Sequence, residues 1–131
     1  NYVCMMNKSH KLSKEKRLSI EQYLSSKHLR VAPDGSPTAP IDRSLSQLNL
    51  EREIFVRIDL ITMAPLILKS SELILTLPSK TAQRMANNYG FIIADLPIEL
   101  EKRKTKLIWH NELSSHPSFD WIKKQIKVDL C

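Results

Sequence analysis

Glycine is nearly missing: Gly35 and Gly90 are the only two in 131 residues. Phosphate-cradling loops of the Rossmann and P-loop kinds need several glycines close together, so nucleotide chemistry of those types is excluded. Aromatic residues make up 6% of the chain, too few to interleave with basic residues as stacking platforms for bases. No apolar run approaches the ~18–20 residues needed to span a bilayer. The two cysteines, Cys4 and Cys131, sit at opposite ends without metal-type spacing. Two free thiols in a reducing cytoplasm is the preferred reading over a terminal staple. The four histidines (His10, His28, His110, His116) lack the i,i+4 pairing of a zinc helix. Asp34-Gly-Ser36 is not set in a Gly-x-Ser-x-Gly elbow, so it reads as a turn rather than a nucleophile. No catalytic constellation is present, and neither a metal nor a cofactor is expected.

What is present suits one domain with a modest core. Hydrophobic residues are 42% and charged residues 26% of the chain, ordinary for a globular protein. Twenty Lys and Arg against fourteen Asp and Glu give a net charge of +6. The basic residues collect at 8–17 and 102–106. Such a surplus can steer a protein to nucleic acid, but without interleaved aromatics these runs read as solvated surface. The first residues, Asn1-Tyr-Val-Cys-Met-Met, are too short for a secretory apolar region and lack an initiator Met. They read as a strand entered midway through a longer protein.

Patterning predicts alternating strands and helices. Tyr2–Met6 is a short buried strand, and Ser19 with Gln22 has capping-box spacing before a helix, with Leu18 stapled onto Tyr23. His28–Ala32 reads as a strand ended by the turn Pro33–Pro37. Thr38 is the expected N-cap of a helix carrying Ile41, Leu45 and Leu48 as its apolar stripe. Glu53–Ile58 alternates as a strand; 61–70 is a largely buried helix with Pro65 near its first turn. Leu73–Leu77 is a strand, and Pro78-Ser79 opens a helix closed by Gly90 at the left-handed position. Phe91–Ala94 and Lys104–His110 are further strands, and a last helix follows Pro117 with Phe119, Ile122 and Ile126 on its apolar face. Strands alternating with helices imply an α/β fold with a parallel, doubly wound sheet. Ligands in such sheets bind beyond the carboxyl ends of the strands. Here the strand His28–Ala32 ends in a loop before a helix, where Ser36, Thr38 and backbone N–H groups could hold a carboxylate; the plainer reading is that Thr38 only caps its helix.

The order of these segments resembles the effector-binding domain of LysR-type transcriptional regulators. The carriers are Met5-Met-Asn-Lys-Ser-His10, Arg57-Ile-Asp-Leu-Ile-Thr-Met-Ala-Pro65, Ser70-Ser-Glu-Leu-Ile-Leu-Thr-Leu-Pro78, Trp109-His110 and Pro117…Trp121. They are most similar to the branch that senses aromatic acids and nodulation-type inducers, although Ser9 and Lys11 stand where that branch commonly has Asp and Pro.

The resemblance implies a type 2 periplasmic-binding-protein-like architecture. Residues 1–100 would form the second regulatory subdomain. Residues 101–131 would be the returning strand and C-terminal helix of the first subdomain. The DNA-binding helix-turn-helix would lie outside this chain. The implied role is a non-enzymatic inducer-binding domain of a cytoplasmic regulator, homodimeric or homotetrameric, controlling transcription allosterically. A periplasmic-type solute-binding protein is the alternative with the same architecture. By position, the pocket wall would include His10, Ser36, Pro37, Thr38 and Asp59. Asp59 stands where the branch often has His, and an acidic group there would disfavour a carboxylate inducer. The implied partner is a small-molecule inducer, with aromatic compounds among the candidates. DNA would be reached only through the absent helix-turn-helix, and no membrane would be involved.

Overall fold

The computed structural model describes residues 1–100 and 107–130. Five strands form one sheet in the order β3-β2-β4-β1-β5, where β1 is Tyr2–Met6, β2 Lys27–Val31, β3 Glu53–Ile58, β4 Ile74–Pro78 and β5 Ile92–Asp95. Helices α1 (Ile20–Leu24), α2 (Pro40–Gln47), α3 (Ala64–Lys69) and α4 (Ser79–Tyr89) join them, and α5 spans Pro117–Leu130.

Alternation along the central strands feeds two cores. Val3, Met5, Leu29, Leu75 and Leu77 pack with Ala64 and Leu68 of α3 and Ala82 of α4. Cys4, Met6, Ile74 and Ala94 face the other way, onto Leu18, Tyr23, Ile41 and Leu45. Successive side chains of a strand point to opposite faces, so a strand apolar at every position needs a layer on both sides. The α/β class, with a helical layer on each face of the sheet, is therefore as the sequence indicates.

The sheet is mixed rather than wholly parallel. β2 runs parallel to β3 and β4, but β1 is antiparallel to both β4 and β5, with Cys4 opposite Thr76 on one side and Ala94 on the other. Periodicity reports that a strand is buried on both faces but carries no sign for its direction, which is why the parallel reading of β1 fails. β4, α4 and β5 thus form a β-α-β unit split by β1.

Most local signals hold. Ser19 caps α1 with the reciprocal Gln22 box, Pro65 sits in the first turn of α3, and Gly90 closes α4 with φ 74°. The segment 61–70 is divided, with a 3-10 turn over Ile61–Met63 leading into α3. Two readings of α2 fail. Its N-cap is Ala39 rather than Thr38, and Leu48 is 56% exposed while Ile41 and Leu45 are buried. α2 stops at Gln47, so Leu48 lies past the last turn and off the stripe. Of the expected strand Lys104–His110, residues 101–106 lie outside the described residues and 107–110 carry no strand. Trp109 instead donates its ring N–H to Ser114 Oγ at 3.0 Å and lies 5.6 Å from the Phe119 ring. Cys4 is a buried free thiol whose pKa is pushed up to about 12, chiefly by burial, and Cys131 lies outside the described residues.

Candidate functional site

A cleft of about 860 Å³ opens at the carboxyl ends of β2 and β4. Val31 and Ala32 line it from β2 and the residue after it, and Thr76, Leu77 and Pro78 from β4. Because β1 runs the opposite way, it contributes its first residue, Tyr2. Arg30 from β2, Pro33, Asp34, Ser36 and Thr38 from the loop, Ala39, Pro40 and Arg43 from the start of α2, and Ile61 and Thr81 complete the wall. This is where open α/β sheets bind ligands, beyond strand ends and against helix starts.

The loop 33–38 is built from its own polar groups and one arginine. Gly35 takes φ 65° and its N–H donates to Ala32 O at 3.0 Å; a left-handed residue is what lets the chain reverse there. Ser36 N–H donates to Asp34 Oδ1 at 3.0 Å, and Ser36 Oγ donates to Thr38 O at 2.9 Å. Beneath the loop, Arg30 sends one terminal nitrogen to Ser36 O and the other to Pro37 O. Ala39 N–H donates to Asp42 Oδ2 at 2.7 Å, half of a capping box.

These bonds limit what the loop offers a ligand. The N–H groups of Ser36 and Ala39 are engaged, and Pro37 and Pro40 have none. The anion grip expected from the loop's backbone is therefore mostly used internally. Thr38 keeps an N–H and a hydroxyl proton that no described residue accepts, and it is exposed.

Behind the cleft lies a polar cluster within the apolar core. Arg52 Nε meets Asp42 Oδ1 at 2.7 Å, and Arg30 Nε lies 3.9 Å from Asp42 Oδ2. Arg30 and Arg52 are 4% and 6% exposed. Arg52 also donates to the Tyr23 hydroxyl at 2.9 Å, and Tyr23 shares a 2.7 Å hydrogen bond with Thr76 Oγ1, which borders the cleft. Burial raises the Asp42 carboxyl, but the Arg52 hydrogen bond, the Ala39 N–H and both guanidinium charges outweigh it and hold the group below its ordinary value. Tyr23 is raised, first by burial. His28, fully buried with Nε2 2.8 Å from Tyr23 O, falls to about 4 through burial and the nearby Arg52 charge.

The residues singled out by sequence do not all meet. Ser36 and Thr38 border the cleft. Pro37 lies on the far side of the loop, against a second hollow between α2 and β3, and reaches Arg30 through its carbonyl. Asp59 follows β3 at the same end of the sheet but is exposed and not part of the cleft wall. His10 is not in this cleft. It lies beyond the other end of β1, in a groove with Ser26, Lys27 and Leu73, residues at the amino ends of β2 and β4. A parallel β1 would have delivered His10 to the ligand end; the antiparallel one carries it away. There it is 3% exposed, its Nδ1 accepts from Leu12 N at 3.1 Å, and burial lowers its pKa. Sequence reasoning missed Tyr2, Arg30, Arg43, Thr76 and Thr81. Only Arg30 left a trace, a charged residue in the run Leu29-Arg30-Val31 of an otherwise buried strand.

Comparison with known proteins places the chain in a family. Residues 1–128 match the family model described as the LysR substrate binding domain. The HTH-type transcriptional activator NahR of Pseudomonas putida is 24% identical over 130 residues, covering 99% of this chain and 43% of NahR. Nodulation protein D 1 of Rhizobium leguminosarum bv. phaseoli is 29% identical over 122 residues, covering 92% of this chain and 38% of that protein. The chain thus spans about two fifths of these relatives. Among solved structures, the regulatory domain of MexT from Pseudomonas aeruginosa superposes with a TM-score of 0.78 at 17% identity, covering 98% of this chain and 62% of that domain. The effector-binding domain of QuiR in complex with shikimate superposes with a TM-score of 0.61 at 15% identity, covering 81% of this chain and 54% of that domain.

Proposed function

The chain belongs to the LysR substrate-binding-domain family, and on that premise we propose that it is the inducer-sensing part of a LysR-type transcriptional regulator, not an enzyme. Residues 1–100 form the second regulatory subdomain, and residues 101–131 return to the first. The inducer, a small molecule with aromatic acids as first candidates, sits between the two and touches this chain in the cleft at Thr38. Ser36 shapes the wall, Pro37 anchors the loop through its carbonyl, and Asp59 stands at the rim. DNA is reached through a helix-turn-helix elsewhere in the full protein, which works in the cytoplasm as a homodimer or homotetramer and needs no cofactor.

The observation that carries this reading is the cleft itself. At about 860 Å³ it falls within the ~300–1,000 Å³ range of small-molecule sites, at the end of the sheet where α/β folds bind ligands. The shikimate complex of QuiR supports a small cyclic ligand in this architecture. Control then requires only that the inducer bind one arrangement of the subdomains more tightly than the other, with coupling of ~1–3 kcal/mol as the usual scale.

The test is a thermal-shift screen of the intact protein with shikimate and simple aromatic acids, followed by DNA-binding assays with any compound that raises Tm. The expected result is that a stabilising compound alters DNA affinity and that Thr38→Trp, which fills the cleft, removes both effects. A compound whose binding survives Thr38→Trp would place the inducer elsewhere.

A further inference from the structure

We propose that Thr76 reads the hydrogen-bond polarity of the ligand in this cleft, and that the ligand meets it with an oxygen that only accepts, a carbonyl or an ether. The inference deepens the inducer-binding reading and rests on it.

Protons can be counted along one buried chain. Arg52 Nη1 donates to the Tyr23 hydroxyl at 2.9 Å and lies 3.4 Å from Thr76 Oγ1. A guanidinium has donors only, so Tyr23 cannot pass its own proton to Arg52. Tyr23 is fully buried, and Thr76 Oγ1, 2.7 Å away, is the one acceptor its hydroxyl reaches among the described residues. Tyr23 therefore donates to Thr76. The reverse bond would bury the Tyr23 proton without an acceptor, an arrangement that native interiors avoid.

Thr76 Oγ1 thus accepts from inside the protein, and its own proton is left over. The Cys4 sulfur, opposite Thr76 across the β1–β4 pair, is a weak acceptor. Unlike Tyr23, Thr76 borders the cleft, so the proton is available to a ligand. No net charge enters this reading, because Asp42 is paired with Arg52 and also faces Arg30. What Arg52 contributes is direction. A donor-only group at the head of the chain fixes which way each bond runs, and successive hydrogen bonds polarise one another.

This direction discriminates between ligands. An N–H placed over Thr76 sets donor against donor, and a hydrocarbon edge leaves the Thr76 proton unpaired. A ligand hydroxyl accepts but then needs an acceptor of its own, which the side chains of Leu77 and Pro78, next in the wall, do not carry. A carbonyl or ether oxygen satisfies Thr76 and asks for nothing further.

Two probes of nearly equal shape test this in the intact protein without knowledge of the inducer. One is acetophenone, isotope-labelled at its carbonyl carbon; the other is α-methylstyrene, in which a CH2 group replaces the carbonyl oxygen. Affinities are read by ligand-detected NMR and the bound carbonyl stretch by isotope-edited infrared spectroscopy. Thr38→Trp should abolish binding of both, which places them in the cleft. Relative to the hydrocarbon, affinity for the ketone should fall about fivefold in Thr76→Val, the scale of one neutral hydrogen bond, and be kept in Thr76→Ser. The carbonyl band should lie lower in the parent and in Thr76→Ser than in Thr76→Val. A band and a preference unmoved by Thr76→Val overturn the proposal, and so does acetophenone binding that Thr38→Trp leaves intact. Should Thr76→Val fail to fold, Thr76→Cys decides, since a thiol is the weaker donor: a raised band supports the assignment and an unmoved one overturns it. Neither readout involves DNA. A lowered carbonyl band in a protein whose DNA affinity no compound alters would leave Thr76 its role and sink the inducer reading, so the two failures are separable.

Discussion

Arg52 Nε and Asp42 Oδ1 meet at 2.7 Å, joining the residue before β3 to the first turn of α2. The pair is the hinge pin of the cleft's back wall, because Asp42 also receives the Ala39 N–H and faces Arg30.

Removing Asp42 should therefore cost more than one salt bridge. Asp42→Ala strands two buried guanidinium groups and unlatches Ala39. Urea unfolding of the intact protein should show a loss of about 3 kcal/mol, in the range for breaking one side of a buried ion pair. The carboxyl is held below its ordinary value, so its contribution is complete at neutral pH and fades as acid protonates it below the ordinary carboxylate range. Asp42→Asn should lose that part of the acid dependence; an unaltered acid limb would show that the pair does not control it.

His28 sets a second, higher pH window. Its folded value of about 4 lies below the ordinary 6.5. Between those two values the unfolded chain binds a proton that the folded one refuses, so stability is complete above 6.5 and falls as pH drops toward 4. The limit is about 3 kcal/mol, since each tenfold difference in proton affinity between the two states is worth roughly 1.4 kcal/mol. Chemical unfolding at pH 7.5 and pH 5 should reveal the drop, and His28→Leu should flatten it whatever its stability at pH 7.5.

Tyr23→Phe removes the hydroxyl that joins Arg52 to Thr76. The expected loss is about 1–2 kcal/mol, the cost of leaving buried hydrogen-bonding groups short of a partner. In the parent protein, ultraviolet titration should show one tyrosine that resists ionisation well above the ordinary range, because burial raises it. That signal should vanish in the variant.

Gly90 ends α4 at φ 74°, and a Cβ built there meets nothing within 4 Å. Gly90→Ala should therefore cost about 1 kcal/mol through backbone conformation alone, and Gly90→Asn less. Equal stability of all three forms in thermal melts would show that the left-handed cap carries no weight.

Signals confined to neighbouring residues were the ones legible in the sequence. The Ser19–Gln22 box, Pro65 and Gly90 act within a turn or two, and each appears where the pattern puts it. The loop 33–38 was legible for the same reason, since Gly35 and two prolines mark it. What could not be read was partnership at a distance. Nothing in Tyr2–Met6 states that it lies antiparallel between β4 and β5, the arrangement that carries His10 to the opposite end of the sheet from Ser36 and Thr38. Arg30, Tyr23, Arg52 and Thr76 are scattered along the chain, and only the fold brings them behind one cleft. Thr38 was assigned a capping role that falls to Ala39 and Asp42 instead, because a Thr one residue before the true cap carries the same local signature.

The position of β1 also constrains how the molecule comes to exist. Its two neighbours are residues 74–78 and 92–95, so the first of these five strands to be synthesised is the one that waits longest for partners. Both its edges stay open until nearly the whole sheet-forming length is available, and closing such long loops is the slow part of folding. Meanwhile β2 and β3 can pair across a much shorter interval. Pairing of β1 therefore closes the longest loops in the sheet, and it is β1 that connects β5 to the other three strands.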